Sequence, residues 1–190
     1  MNRREALKRL ALLSGGALSL STVSAVMGGC APGGDSYAPR TLSAKQDEMV
    51  TVISELIIPE TDTPGAKAAG VNRFIDKMLT DWNTEEEREH FLSGLDSVDD
   101  TSNELHGNAF LDLNQQQQIE VLEQKEEEAN GENPMPDTEI KPFFDMMKEF
   151  TLVGYYTSEI GATEELVWNH VAGRWDGCYP YSEVGRAWSS

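Results

Sequence analysis

The sequence is poor in cysteine and in positive charge. Its 190 residues include 2 Cys, and 15 Lys and Arg stand against 33 Asp and Glu, which gives a formal net charge of −18 at pH 7. Binding to nucleic acid requires clustered Lys and Arg that neutralise phosphates, so this chain is not expected to bind nucleic acid. The same deficit argues against direct contact between the folded surface and anionic lipid. Such acidity is usual for a soluble surface, and it also suits a partner with a basic patch.

Motifs of catalytic and cofactor chemistry are missing as well. The chain has no G-x-G-x-x-G, no Walker A loop, no G-x-S-x-G elbow, no C-x-x-C and no H-E-x-x-H. Glu87 and His90 have the spacing of half a di-iron site in a helix bundle, but such a site needs two of these motifs and two further glutamates. We therefore expect no catalytic, cofactor-binding or metal-binding residues in this chain.

The first 29 residues are predicted to form a targeting signal. Arg3 and Arg4 lie in a positive segment, and Ser and Gly interrupt the apolar stretch 10–27 that follows. Paired arginines before a weakly hydrophobic segment resemble a twin-arginine translocation signal, which is read by a receptor and is not an anchor. A membrane-spanning helix is the alternative, but it usually needs about 20 mostly apolar residues. We predict a removable signal over 1–29 that the twin-arginine translocase recognises and that exports folded cargo.

The end of this signal allows two processing reactions. Met27-Gly28-Gly29-Cys30 resembles a lipobox, in which Cys30 is acylated and becomes the mature N-terminus, and residues 30–40 then form a flexible tether. Cleavage after Ala25 is the alternative and would leave a soluble periplasmic protein. We favour a periplasmic lipoprotein held at the membrane by a lipid on Cys30. Removal of 1–29 takes away four cations and one anion, which changes the net charge from −18 to −21.

Residues 41–190 are predicted to form a single small all-α domain of about five helices. Capping boxes start two of them, at Ser43 and at Thr84, and Asn114 is a predicted N-cap of another. Apolar residues recur at helical spacing within each segment. The predicted inward-facing residues are Met49, Val50, Val52, Ile53, Leu56 and Ile57 in the first helix; Val71, Phe74, Ile75, Met78, Leu79 and Trp82 in the second; Phe91, Leu92, Leu95 and Val98 in the third; Ile119, Val121 and Leu122 in the fourth; and Ile140, Phe143, Phe144, Met147, Phe150, Val153 and Tyr156 in the fifth.

Two helix ends and the tail carry further predictions. The third helix is expected to fray over its polar end at 96–103, and Asp137 is expected to cap the fifth and longest helix. After Ser158, glycines and Pro180 interrupt an irregular tail rich in Trp and Tyr. If Cys30 is acylated, Cys178 has no partner within the chain, which predicts either a buried or merely tolerated thiol or a disulfide to another subunit.

Four stretches of the domain form a recognisable combination. They are Leu56-Ile57-Ile58-Pro59-Glu60-Thr61-Asp62-Thr63-Pro64-Gly65-Ala66 with Val71-Asn72-Arg73-Phe74-Ile75-Asp76, then Phe110-Leu111-Asp112-Leu113, Gly154-Tyr155-Tyr156-Thr157-Ser158-Glu159-Ile160-Gly161, and Gly173-Arg174-Trp175-Asp176-Gly177-Cys178. Together they resemble the small-subunit family of gluconate 2-dehydrogenase, often called subunit 3. The resemblance extends over residues 41–188, and the twin-arginine signal agrees with it.

The resemblance implies a non-catalytic partner of a flavoenzyme. Members of this family accompany a GMC-type large subunit that holds FAD and oxidises sugars, sugar acids or polyols, and a cytochrome c subunit with haem c often carries the electrons on. Because the large subunit commonly lacks a signal of its own, the small subunit is expected to escort it through export and to anchor it. The aromatic tail then becomes a candidate docking surface, since Trp and Tyr dominate interface energetics. The predicted partner-binding residues are Tyr155, Tyr156, Ser158, Arg174, Trp175 and Cys178.

Two other functions are compatible with the sequence. A stand-alone lipid-anchored periplasmic protein is one, either as a scaffold or as a sugar-binding protein in which Trp82, Trp168 and Trp175 line the pocket. A metal-dependent helical enzyme built on Glu87 and His90 is the other. The alternative to a docking surface is that the Trp and Tyr residues of the tail cover the core of their own domain.

Overall fold

The computed structural model describes residues 37–131, 140–169, 173, 177, 178 and 180–189. The predicted all-α class is confirmed, and the folded unit spans Pro39–Ser190. The elements are helices α1 (Ala44–Ile57), α2 (Val71–Asp81), α3 (Glu85–His106), α4 (Gln115–Asn130), α5 (Phe143–Tyr156) and α6 (Tyr181–Val184), a 3₁₀ turn (Phe110–Asp112), a π-helical turn (Gly161–Glu165), and strands β1 (Val167–Trp168) and β2 (Trp188–Ser189).

Capping boxes start three of the helices. Ser43, Thr84 and Asn114 occupy the N-cap positions of α1, α3 and α4, and each side chain accepts a hydrogen bond from the backbone N–H three residues later. The side chain of that later residue accepts in return from the N-cap backbone. These reciprocal bonds satisfy N–H groups that have no partner within the helix, so they fix where each helix begins.

Helix α5 lies at the centre of the core and packs against α1, α2, α3 and α4. Its inner face carries Phe143, Met147 and Phe150, and the ring of Phe91 on α3 meets Phe143 edge-on at 5.2 Å. Close packing of this kind provides most of the stability of a small helical domain. Among the described residues, the apolar side chains with no exposed surface are those of Phe91, Met147, Val50, Ile53, Ala66, Val71, Ile75, Leu79, Leu95, Val98, Phe110 and Val121.

The polar end of α3 does not fray, contrary to the prediction. The helix continues through 96–103 and ends at Gly107, which has a left-handed φ of 72°. Val98 and Ser102 are fully buried along this stretch. The carboxylate of Asp99 accepts a hydrogen bond from the backbone N–H of Phe110 and pairs with Lys45. Buried contacts and this partnered carboxylate therefore stabilise a segment whose composition alone suggests fraying.

The second and fifth helices differ from the predictions at their ends. Helix α5 begins directly after Pro142 and has 14 residues, whereas α3 has 22 and is the longest described helix. The predicted cap Asp137 lies outside the described residues. Trp82 follows the last turn of α2, and it is 78% exposed instead of completing the buried stripe. The buried stripe of α2 therefore ends at Leu79, about one turn before Trp82.

A buried carboxylate fixes the start of the folded unit. Asp76 on α2 is fully buried, and its two oxygens accept hydrogen bonds at 2.9–3.0 Å from the backbone N–H groups of Arg40, Thr41 and Leu42. The Arg40 side chain also pairs with Asp81 at the end of α2. A carboxylate that accepts several N–H groups makes strong, charge-assisted bonds. Residue 40 is therefore held against α2.

The described part of the tail contains a small parallel strand pair. Val167 of β1 pairs with Trp188 of β2. The N–H groups of Val167 and Asn169 donate at 2.9 Å to the carbonyls of Ala187, just before β2, and of Ser189. Pattern reasoning predicted an irregular tail and missed both strands, because two residues are too few to show alternation.

Candidate partner-docking surface

Helix α5 exposes three apolar side chains near its C-terminal end. Leu152 and Val153 are each 44% exposed, and Tyr156 is 41% exposed. Residues three and four apart on a helix are neighbours, so these three side chains form one surface. We call them the α5 patch. Val153 and Tyr156 were predicted to face the core, and they point outward because the inner face passes through Thr151 and Gly154 instead.

The inner face below this patch is closely packed. A Cβ atom on Gly154 would come within 2.7 Å of the Phe74 ring on α2, so the absence of a side chain lets the two helices approach. Helices α2 and α5 make an extensive contact. The α5 patch is therefore presented on a rigid helix, which favours precise recognition of a partner.

Tyr155 anchors the end of α5 to the loop between α1 and α2. It is only 1% exposed, and its hydroxyl donates a hydrogen bond of 2.8 Å to the carbonyl of Pro64. Burial raises the pKa of Tyr155 above its ordinary value, so the hydroxyl remains a donor throughout the neutral range. Its ring also contacts the ring of Tyr156 edge-on at 5.3 Å and restrains that residue of the patch.

The α1–α2 loop is closed by a carboxylate that sequence reasoning missed. Glu55 accepts hydrogen bonds from the backbone N–H groups of Glu60 and Lys67, at 3.0 and 2.8 Å. A Cβ atom on Gly65 would come within 2.6 Å of both Glu55 oxygens, so only glycine fits there without rearrangement. Much of the stretch 56–66, which carries the family resemblance, thus shapes a turn, and the carbonyl of Pro64 within it accepts the hydrogen bond from Tyr155.

The tail is attached to the same loop by polar contacts. The Thr63 hydroxyl donates to Glu165 at 2.6 Å, and Arg186 lies 3.6 Å from Asp62. Ser189 also donates to the carbonyl of Ala162 at 2.6 Å. Apolar side chains of the tail remain exposed, with Trp168 at 50% and Val167 at 39%. In the described residues, the tail therefore leaves these apolar groups at the surface.

The predicted partner-binding residues fall into different environments. Tyr156 belongs to the α5 patch, whereas Tyr155 is a core residue. Ser158 accepts from the N–H of Gly161 and donates to the carbonyl of Tyr155, so its side chain stabilises the turn after α5. Cys178 is exposed rather than buried. Their role in binding a partner stays a prediction.

Several predicted functional residues lie outside the described residues. They are Arg3 and Arg4 of the signal, the lipidation residue Cys30, and the tail residues Arg174 and Trp175.

Of the Glu87 and His90 pair, only Glu87 contributes to the cap at the start of α3. Glu87 accepts from the backbone N–H of Thr84 at 2.8 Å, and this bond lowers its pKa below the ordinary value. The buried Nε2 of His90 makes no hydrogen bond. Among the described residues, no three His, Cys, Asp or Glu side chains are grouped so that they could hold a metal ion.

Trp82 borders a small groove. The groove has a volume of about 180 Å³, and Asn83, Lys141 and Phe150 are among its other lining residues. Its polar groups and indole face are of the kind that sugars contact. Trp168, the second Trp proposed to bind sugars, is not among the groove's lining residues, and Trp175 lies outside the described residues.

Helices of the described segments are too short or too polar to cross a bilayer.

The family model for gluconate 2-dehydrogenase subunit 3 matches residues 44–173, which is more than half of the chain. No match was found among the curated proteins or among the solved structures.

Proposed function

Because the chain belongs to the gluconate 2-dehydrogenase subunit 3 family, we propose that it is the non-catalytic small subunit of a flavin-dependent dehydrogenase. The family match over 44–173, which includes α1 to α5, carries this proposal. A GMC-type large subunit holds FAD and oxidises a sugar, a sugar acid or a polyol. A cytochrome c subunit with haem c accepts the electrons in complexes that contain one.

The α5 patch supports a docking role. Leu152, Val153 and Tyr156 place exposed apolar area on a helix whose other face is fixed in the core. Tyrosine is frequent among the residues that dominate binding energy, and an apolar centre with a polar rim is typical of subunit interfaces. This chain is rich in Asp and Glu, so the large subunit is expected to present an apolar surface flanked by Lys and Arg.

Escort and anchoring follow from the N-terminal sequence. Arg3 and Arg4 address the chain to the twin-arginine translocase, and the folded large subunit is exported with it. A lipid on Cys30 then holds both subunits at the periplasmic side of a membrane. The folded unit begins at Pro39, so the tether that starts at Cys30 ends at residue 38 and not at residue 40 as predicted.

Co-purification from native membranes tests the accessory role. An affinity-tagged chain is extracted with mild detergent, and its partners are identified by mass spectrometry and visible absorbance. Recovery of a flavoprotein in a fixed ratio, absent from an untagged strain, is the expected result. A chain that is isolated alone, yet binds sugars directly, would contradict the proposal and favour a stand-alone binding protein.

Deletion of residues 1–29 tests the escort. The truncated chain should remain in the cytoplasm together with the dehydrogenase activity, because no other signal is provided for the large subunit. Activity is measured in periplasmic, membrane and cytoplasmic fractions. Normal export of the activity would show that the large subunit travels independently.

A further inference from the structure

An apolar groove is lined by residues of α1, α4 and α5. It has a volume of about 250 Å³. Its most buried lining residues are Leu122 of α4 and Phe144 of α5, which are 6% and 7% exposed. The partly exposed side chains of Leu56, Ile57 and Ile119 complete its apolar lining. We call it the α4 groove.

Ile119 does not complete the core as predicted. Its side chain is partly exposed, and among the described residues it belongs neither to the buried core nor to the apolar residues packed against that core. Burial of apolar area stabilises by about 25 cal/mol per Å². An apolar group of a second molecule that entered the groove would therefore gain this stabilisation from Ile119 without any rearrangement of the core.

The two cations closest to the groove are already paired. Lys148 of α5 pairs with Glu126 at 2.6 Å and lies over the Phe144 ring, 5.6 Å from its centre. Helix α4 carries five Glu and one Lys, and that Lys125 pairs with Glu128 at 2.8 Å. Neither cation is thus left to neutralise the other carboxylates of α4.

Three carboxylates of α4 have no Lys or Arg partner among the described residues. They are the exposed Glu120, Glu123 and Glu127, of which Glu123 lines the groove and Glu120 lies 3.4 Å from Nε2 of His106. Residues three and four apart share a helix face, so these carboxylates form one stripe about 10 Å long. We call it the α4 carboxylate stripe. It borders the α4 groove with negative charge.

Size and charge select the occupant of the α4 groove. Pockets for drug-sized ligands have about 300–1,000 Å³, so a volume of about 250 Å³ suits one or two apolar side chains of a protein. Anionic lipid would be repelled by the carboxylate stripe. A second copy of this chain would add its own net charge of −18. A cationic segment of a partner protein meets none of these objections.

We propose that the α4 groove binds a basic amphipathic helix of the large subunit. This inference rests on the proposed function and adds the chemistry of the recognised segment. A bulky apolar side chain enters the groove, as in other complexes in which a helix lies in a groove. Lys or Arg side chains of the bound helix meet the carboxylate stripe, because a helix alongside α4 repeats at the same interval of about 5.4 Å per turn. Lys148 and Leu152 are neighbours on α5, so the groove adjoins the α5 patch.

Opposite charges at one position test this proposal. Ile119→Lys and Ile119→Glu remove the same apolar side chain, and position 119 lies outside the core. Each tagged variant is purified from native membranes, and the ratio of flavin to tagged chain is measured after washes at rising salt. The Lys variant should retain about threefold to tenfold less flavin than the Glu variant at low salt. The difference should shrink as salt screens the charges.

A charge-matched pair of double variants provides the control. Glu123→Gln with Glu127→Gln weakens the carboxylate stripe and should lower flavin retention about threefold. Asp100→Asn with Glu104→Gln removes two exposed carboxylates one turn apart on α3, outside the groove, and should leave retention unchanged. Circular dichroism checks that every variant retains its helices. Equal losses in the two double variants, or equal retention for Ile119→Lys and Ile119→Glu, would overturn the proposal.

Photo-crosslinking separates this proposal from the accessory role. A photoreactive amino acid replaces Ile119 in one tagged chain and Tyr156 in another, and mass spectrometry identifies the attached peptides. We expect Ile119 to cross-link to a flavoprotein peptide with apolar residues and with Lys or Arg at helical spacing. Cross-links to the flavoprotein from Tyr156 alone, or from Ile119 to a second copy of this chain, would overturn the proposal and leave the accessory role standing. Absence of flavin from the purified parent chain would overturn both.

Discussion

The helical body and the tail that follows α5 are stabilised in different ways. In the body, five long helices enclose a continuous core, and the central helix α5 contacts the other four. In the tail, Gly161 is the only buried residue among those described after Ser158. The conformation of the tail is therefore held by a strand pair and a few polar contacts. Tail aromatics such as Trp168 consequently remain at the surface. An abundance of aromatic residues therefore does not by itself identify the docking surface, since the body also presents a candidate surface, the α5 patch.

The largest expected effect is the loss of stability of the helical body when Asp76 is replaced. Asp76→Ala leaves three backbone N–H groups without their acceptor in a buried site, and each such group costs about 1–3 kcal/mol. The free energy of unfolding should fall by roughly 4 kcal/mol, measured by urea denaturation. A loss below about 1 kcal/mol would mean that the N-terminal segment contributes little to the folded unit.

Thr84→Ala tests the caps of the body at a smaller scale. Loss of the side chain that accepts from the Glu87 N–H should lower the free energy of unfolding by about 1 kcal/mol. Serine at the same position should restore most of it, because its hydroxyl accepts equally well. An unchanged value for Thr84→Ala would show that α3 is positioned by its core contacts alone.

Glu87 adds a pH dependence to the same cap. Its pKa is lower in the folded state than in the unfolded state. Its contribution to the free energy of unfolding is therefore complete above the unfolded pKa of about 4.3 and is lost as the pH falls through the folded pKa. Glu87→Gln should therefore remove part of the loss of stability that acid causes, measured as thermal midpoints between about pH 6 and pH 3. Equal acid sensitivity in both proteins would contradict this assignment.

The smallest expected effect on global stability concerns the tail. Glu165→Gln with Arg186→Gln weakens one part-buried hydrogen bond to Thr63, whose hydroxyl can still donate to the amide oxygen of the replacement, and one exposed ion pair to Asp62. The free energy of unfolding should therefore change by less than about 1 kcal/mol. Limited proteolysis after residue 160 should nevertheless become faster, because the tail detaches locally. A large change in global unfolding would show that the tail and the body are one cooperative unit.

Local sequence patterns predicted the helix starts and inner residues of the body better than its exposed residues. The boxes at Ser43 and Thr84 and the Asn114 cap are confirmed, and so are the predicted inner residues of α1 to α4 apart from Trp82 and Ile119, because capping and periodicity depend on neighbours in sequence. The outward position of Val153 was missed because Thr151 and Gly154 form the inner face, and neither residue is strongly apolar. Nothing local distinguishes them from residues of an exposed face.

Interactions between distant residues were beyond the reach of pattern reasoning. The hydrogen bonds that Asp76 accepts from Arg40, Thr41 and Leu42 connect residues more than thirty positions apart. Glu55 closes the α1–α2 loop across up to twelve residues. Charged residues of this kind resemble ordinary surface residues in sequence, and only the fold shows that backbone donors converge on them.

The most direct test compares the α5 patch with the tail in flavoprotein recovery. Leu152→Ser with Tyr156→Ala alters the patch, and Trp168→Ala with Trp188→Ala alters exposed aromatics of the tail. Each tagged variant is purified from membranes, and the ratio of flavin to tagged chain is measured, with helical content as the check on folding. We predict at least a tenfold lower ratio for the patch variant and a smaller loss for the tail variant. An unchanged ratio in a correctly folded patch variant would contradict docking through α5.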